Sequence, residues 1–257
     1  NRRLIAACRA ACARVAAALD DRRGGAWSDG AEVRRAFIDK IVAGAAVAAL
    51  LALPAAAAGY RLLEIDGLNV KWGEPLMRSG AEVSYGFAAA EVSMPGAINC
   101  RALAPIARLA AAWERDPERL AEIAAEAFGI WSREADLRFR PAAPGEPPDI
   151  LIGAQGEPDR IAFANVWHGT GRQGIAPLTR AAICFNPLVA WSDGEGPDPA
   201  GALDLPTVLA HEIGHAIGLD HPGATGALMG YSNQGDIDHL MPGDVAGAVA
   251  LYGPARD

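Results

Sequence analysis

The sequence predicts an α+β domain, on three observations. Short segments with strand-like alternation or β-branched character recur at 83–87 (VSYGF), 137–140 (LRFR) and 149–152 (DILI), with two more at 161–166 and 181–185. One helical pattern lies between the first and second of these, and two more follow the last. At 257 residues, 51% of them hydrophobic, the chain can bury one sizeable core and still carry a leader.

The first helix starts at Asp116-Pro117, with Asp as the N-cap residue and Pro at the first helical position. Leu120, Ile123, Ala127, Phe128 and Trp131 then fall on one helical face. A second helix covers 205–217 and stops at Gly218, and a third covers 243–252 before Gly253-Pro254. Between Trp191 and the second helix runs an acidic, Gly- and Pro-rich loop, SDGEGPDPAGALD. No internal repeat is present.

Residues 34–58 have the layout of a secretory signal peptide. Arg34, Arg35 and Lys40 precede an uncharged apolar stretch at 41–53, and small alanines form a cleavage site ending at Ala58. A membrane anchor is the alternative, although alanine is a weak membrane former. The expected organisation is therefore an extension at 1–33 with no assigned role, a signal peptide at 34–58 and one domain at 59–257. Arginine outnumbers lysine 21 to 2 and alanine is abundant, the mark of a GC-rich bacterial genome. Localisation is expected to be extracellular or periplasmic.

The formal charge is −8, and residues 59–257 hold 14 basic and 26 acidic side chains, a net of −12. A domain of that charge repels nucleic acid and anionic lipid. Four cysteines are present, and Cys8 and Cys12 fall in the leader. Cys100 and Cys184 remain, and in an oxidising compartment they are expected to join the segment after the first strand to a strand edge near the cleft.

Chemistry concentrates in 211–221, HEIGHAIGLDH. His211 and His215 are four residues apart on a helix, so their imidazoles project from nearly the same face and can share a zinc ion. Glu212 lies about 100° round the helix, where it can serve as general base and acid without ligating. His221 completes a three-histidine set if the chain turns sharply, and Gly218 allows that turn because glycine adopts positive φ freely. Three histidines leave a fourth position open, the arrangement of a catalytic zinc. A catalytically idle zinc-binding module is the alternative, but metal binding alone does not need the carboxylate of Glu212.

HEIGHAIGLDH resembles the long zinc motif of the metzincin peptidases, and Ala227-Leu228-Met229 resembles their Met-turn. MPGDVAGAVALYG at 241–253 is similar to the C-terminal helix of matrixins, the matrix-metallopeptidase family. KWG at 71–73, VSYGF, AFGIWS at 127–132 and LRF stand in matrixin order, so the resemblance runs from about 68 to 254. It implies a five-stranded twisted mixed sheet with three helices, a monomeric secreted zinc endopeptidase, and a cleft that takes an extended peptide by strand addition. It also implies that Met229 underlies the metal and that Asp244 braces the Met-turn.

Departures from the pattern carry expectations of their own. Phe163 and Cys184 stand where two histidines of the family's structural zinc are expected, so one zinc is predicted. The cysteine-switch motif is absent. His221-Pro222-Gly223 and Met229-Gly230-Tyr231 are similar to serralysins, where a tyrosine at this position lies near the metal. Tyr231 is thus either an oxyanion hydrogen-bond donor or a wall of the pocket. Asp193, Glu195, Asp198 and Asp204 form a candidate calcium set, a solvated acidic loop being the alternative.

Overall fold

The computed structural model describes residues 59–195, 200–223, 227–230 and 239–256. The extension at 1–33 and the signal-peptide segment at 34–58 lie outside the described residues. In chain order the elements are strands β1 (Arg61–Leu62), β2 (Glu64–Ile65), β3 (Leu68–Lys71), β4 (Ala81–Phe87), β5 (Val92–Ser93) and β6 (Ala102–Ala104), then helices α1 (Ile106–Trp113) and α2 (Pro117–Glu134). Strands β7 (Leu137–Pro141), β8 (Ile150–Gln155), β9 (Ala162–His168), β10 (Ile175–Phe185), β11 (Trp191–Ser192) and β12 (Leu203–Asp204) follow. Helix α3 (Leu205–Ala216), strand β13 (Leu219–Asp220) and helix α4 (Pro242–Tyr252) close the chain.

Five principal strands run in the order β7, β4, β8, β10, β9. The first four pair in parallel, and β9 lies antiparallel along β10. Strand β8 and the second half of β10 are buried on both faces, which is why DILI and AAICF read as continuous apolar runs, whereas the edge strand β7 exposes Arg138 and Arg140. Among the described residues β9 pairs only with β10, so its outer edge is free.

Helix α2 packs its predicted stripe inward: Leu120, Ile123, Ala127, Phe128 and Trp131 are all buried. Pro117 stands at the first turn, and Asp116 has extended N-cap backbone without a side-chain capping bond. Phe128 stacks on Tyr85 of β4 at 4.2 Å between centroids, and the Trp131 indole N–H donates to the Ala210 carbonyl of α3 at 3.0 Å. One tryptophan thereby fixes the metal-motif helix against α2.

Two differences from the expected layout stand out. Helix α1 makes four helices among the described residues where the resemblance implies three. In IARLAAAW the large residues Ile106, Leu109 and Trp113 fall on one face over only eight residues, and Leu109, Ala110 and Trp113 are buried. Strands β5 and β6 pair as a short antiparallel ribbon and cover the outer face of β9 and β10 with a second small core around Met94, Cys100, Leu103 and Cys184. Cys100 and Cys184 are joined as a disulfide across it, their Cα atoms 6.5 Å apart. Cys184 lies not on a strand edge but within β10, flanked by β8 and β9 and fully buried. The apolar run AAICF shows that its strand is buried but not which strands flank it.

Candidate functional site

Asp204 starts the site. Its carboxylate accepts the Thr207 N–H at 2.8 Å and caps α3, with Pro206 in the first turn. From there the helix delivers His211 and His215 one turn apart on its cleft side. The Nδ1 of His211 lies 2.6 Å from the Leu228 carbonyl, and that of His215 lies 2.8 Å from the Leu219 carbonyl. A carbonyl can only accept, so each Nδ1 carries the proton and each Nε2 presents a lone pair. The Nε2 of His221 lies 3.1 Å from that of His211 and 3.3 Å from that of His215.

Ligands about 2.0–2.1 Å from a tetrahedral zinc sit roughly 3.3–3.4 Å from one another. The three nitrogens therefore converge at the spacing of a zinc ligand set. Burial holds all three imidazoles below their usual pKa, His215 down to about 3, reinforced by neighbouring imidazoles at His211 and His215 and by the Arg61 charge at His221, so they are neutral ligands at neutral pH. Among the described residues this is the group of histidines, cysteines and acids placed to hold a metal.

The arm to the third histidine is built by the two ends of the domain. At Gly218 the backbone has φ +101, and the chain turns out of the helix. Three successive carbonyls at that helix end are then capped. The Trp72 indole donates to Ala216 at 2.8 Å, the Tyr252 hydroxyl to Ile217 at 2.6 Å, and the Leu63 N–H to Gly218 at 2.8 Å. Strand β13 next pairs antiparallel with β1, and Arg61 binds the Asp220 carboxylate at 3.0 Å. His221 emerges from a clamped strand, not from a loose loop. Trp72 and Tyr252 were legible only as part of KWG and ALYG; no local pattern shows that they meet one helix end across 180 residues.

Glu212 lines the same cleft but stands outside the three-histidine group. Its carboxyl is buried, receives the backbone N–H of Ala164 from β9, and has its Oε2 without a hydrogen-bond partner among the described residues. Burial pushes its pKa up to about 8. An unpartnered buried carboxylate oxygen is costly, so its retention marks a position shaped for something other than stability.

Beneath the histidines, Met229 packs so closely on Gly214 that a β-carbon there would overlap its sulfur. Asp244 accepts the N–H of Leu228 at 2.8 Å, of Met229 at 3.1 Å and of Met241 at 3.0 Å. Leu228 in turn takes the His211 proton, so one carboxylate orders the turn that orients a ligand. Asp244→Ala strands three amide donors and should lower the unfolding free energy by about 3 kcal/mol. Urea denaturation reads this, and a loss below about 0.5 kcal/mol would remove the bracing role.

Not every expected residue joins the site. Tyr231 and Asp198 lie outside the described residues. Among the described residues the other expected calcium ligands, Asp193, Glu195 and Asp204, do not form a group placed to hold a metal. Asp193 meets Arg119 Nε at 3.0 Å and Arg115 Nη2 at 3.4 Å; burial acts to raise its pKa, but the two guanidiniums outweigh it and hold the carboxyl below its usual value. Glu195 binds Arg119 at 3.3 Å, and Asp204 is spent on the helix cap. Arginine supplies here the positive charge that a calcium ion would, and these arginines lie some eighty positions away in sequence. Phe163 and Cys184, the positions read against a second zinc, are direct cross-strand partners in β9 and β10.

A cleft of about 900 Å³ opens over the histidines, walled by β9 on one side and by Val208 of α3 on the other. A mixed sheet, a helix bearing two of three clustered histidines, a glycine turn to the third and a methionine below define a metzincin catalytic domain. The matrixin family model matches residues 112–253, and the chain belongs to the matrixin family. It is 34% identical to matrix metalloproteinase-19 of Mus musculus over 134 residues, covering 50% of this chain and 24% of that protein. Identity to stromelysin-3 of Homo sapiens is 32% over 155 residues, 55% and 29% of the two chains. For matrilysin of Felis catus it is 30% over 147 residues, 51% and 50%. The matches thus span between a quarter and a half of these relatives' lengths.

Proposed function

We propose that this chain is a zinc-dependent endopeptidase of minimal bacterial matrixin type, with serralysin-like features around His221 and Tyr231, that is exported and acts as a monomer on extended peptides. The observation that carries the reading is the convergence of three neutral Nε2 atoms beside a buried carboxylate with an unpartnered oxygen. Zinc held by His211, His215 and His221 would supply a Lewis acid that polarises the scissile carbonyl and makes water nucleophilic near neutral pH.

The protein's own groups do the rest. Burial alone favours the protonated form of Glu212, and the positive charge of a bound zinc would favour the carboxylate, which then accepts the proton of the attacking water and passes it to the leaving amine. The free edge of β9 offers backbone N–H and C=O groups to an extended peptide, which would align the scissile bond beside Glu212. The apolar cleft walls exclude water from the peptide once it is seated. Export is supported by the leader pattern at 34–58, and no helix among the described residues is long and apolar enough to cross a membrane.

Chelation tests the reading. Stripping metal from the full chain should abolish cleavage of a peptide library, and zinc should restore it at one ion per chain. Undiminished cleavage by metal-free protein would overturn the proposal. A requirement for two zinc ions would overturn the single-site part of it.

A further inference from the structure

Arg160 is the one lysine or arginine among the described residues that line the cleft. It is exposed and makes no ion pair there, whereas Arg61, Arg115, Arg119, Arg140 and Arg256 each hold a carboxylate. Its backbone is left-handed, φ +54, a conformation that side chains other than glycine rarely adopt. The neighbours over-determine it. The Asn186 side-chain amide donates to the Arg160 carbonyl at 2.6 Å, and the Asn186 N–H donates to the Ile161 carbonyl at 2.9 Å. Asn186 is itself held, accepting the Leu188 N–H and the Trp191 indole. Upstream, the buried Gln155 accepts the Asp159 N–H at 2.6 Å. An unusual conformation held from both sides, at the mouth of a cleft, is the kind of feature found where a side chain is presented to a ligand.

We propose that Arg160 is a specificity-determining residue that selects an acidic side chain on the bound peptide, an inference that rests on the peptidase reading above. Arg160 lies four positions before Ala164, whose N–H meets Glu212, and two before β9 begins, so it stands no more than about 13 Å from that point of the cleft. A carboxylate about two to four residues from the scissile bond, on one side only, is the partner within its reach. The guanidinium fork matches that carboxylate in two-point geometry. The rest of the molecule opposes the choice. Residues 59–257 carry a net charge of −12, and that field favours basic peptides at every position. Preference for an acid at a single position therefore identifies a local contact and separates it from the general field.

The test is a positional peptide library in an alanine-glycine background, with Glu, Gln or Lys placed at each position in turn, given to the full zinc-loaded chain. Cleavage should favour Glu over Gln about tenfold at one position, Arg160→Gln should bring that ratio to about one, and Arg160→Glu should turn the preference to Lys. Binding of the same peptides to the Glu212→Ala chain, by fluorescence anisotropy, should show the same order. Equal handling of Glu, Gln and Lys at every position would overturn the assignment, as would a Glu preference that survives Arg160→Glu. A Glu preference in binding with no cleavage at all would support Arg160 and overturn the hydrolytic reading instead.

Discussion

Glu212→Ala should lower peptide hydrolysis by about a thousandfold or more while zinc stays bound at one ion per chain. General acid–base catalysis contributes roughly 10²–10⁴ in rate, and Glu212 would serve both proton transfers. Its removal leaves the ligand set whole, because His211, His215 and His221 are oriented by carbonyls and by the β1–β13 pairing rather than by this carboxylate. Stability should change little. The alanine variant sheds a buried carboxyl with one oxygen unpartnered but leaves the Ala164 N–H without its acceptor, and the two effects offset, so it should melt within a few degrees of wild type. Activity within tenfold of wild type would contradict the assigned role. A variant that lost its zinc or unfolded would instead make Glu212 a structural residue.

Much of this site was legible in the sequence because its determinants are local. The spacing of His211 and His215 is a property of any helix, and Gly218 signals its own turn. What could not be read are contacts between segments far apart. Trp72 and Tyr252 cap carbonyls of α3 from opposite ends of the domain, and Arg115 and Arg119 reach Asp193 across more than seventy residues. The acidic loop shows the consequence. Its carboxylates suggest a cation, but nothing local tells whether that cation is calcium or a guanidinium. The β5–β6 ribbon and α1 escaped for a different reason. Strands of two or three residues carry too little pattern to register, and α1, although Ile106, Leu109 and Trp113 share one face, has only eight residues, short of the window over which a helical period is secure.

Gly218→Ala is expected to damage both fold and metal site. A β-carbon built at this position falls 2.0 Å from the Val70 carbonyl oxygen and 3.1 Å from its carbon. Those are backbone atoms of β3, which pairs with β10, so they cannot swing aside as a side-chain tip would. The φ of +101 adds a penalty for any residue with a β-carbon. Either the turn or β3 must shift, and the collision should cost about 4 kcal/mol, near the upper end for single substitutions. In a domain of this size that lowers the melting temperature by about 8–16 °C. The same shift displaces His221, since only Leu219 and Asp220 separate it from the turn, and zinc affinity should fall about tenfold or more. Gly223→Ala is the control. Its φ is also positive, +74, but nothing among the described residues lies within 4 Å of the added carbon, so it bears the conformational penalty alone, about 1 kcal/mol. Melting curves and competitive zinc titration on the two variants separate the effects. If Gly218→Ala melts and binds zinc as Gly223→Ala does, the close approach to Val70 is not what shapes the turn, and the route by which α3 delivers its third ligand must be held by the clamp of Trp72, Tyr252 and Leu63 alone.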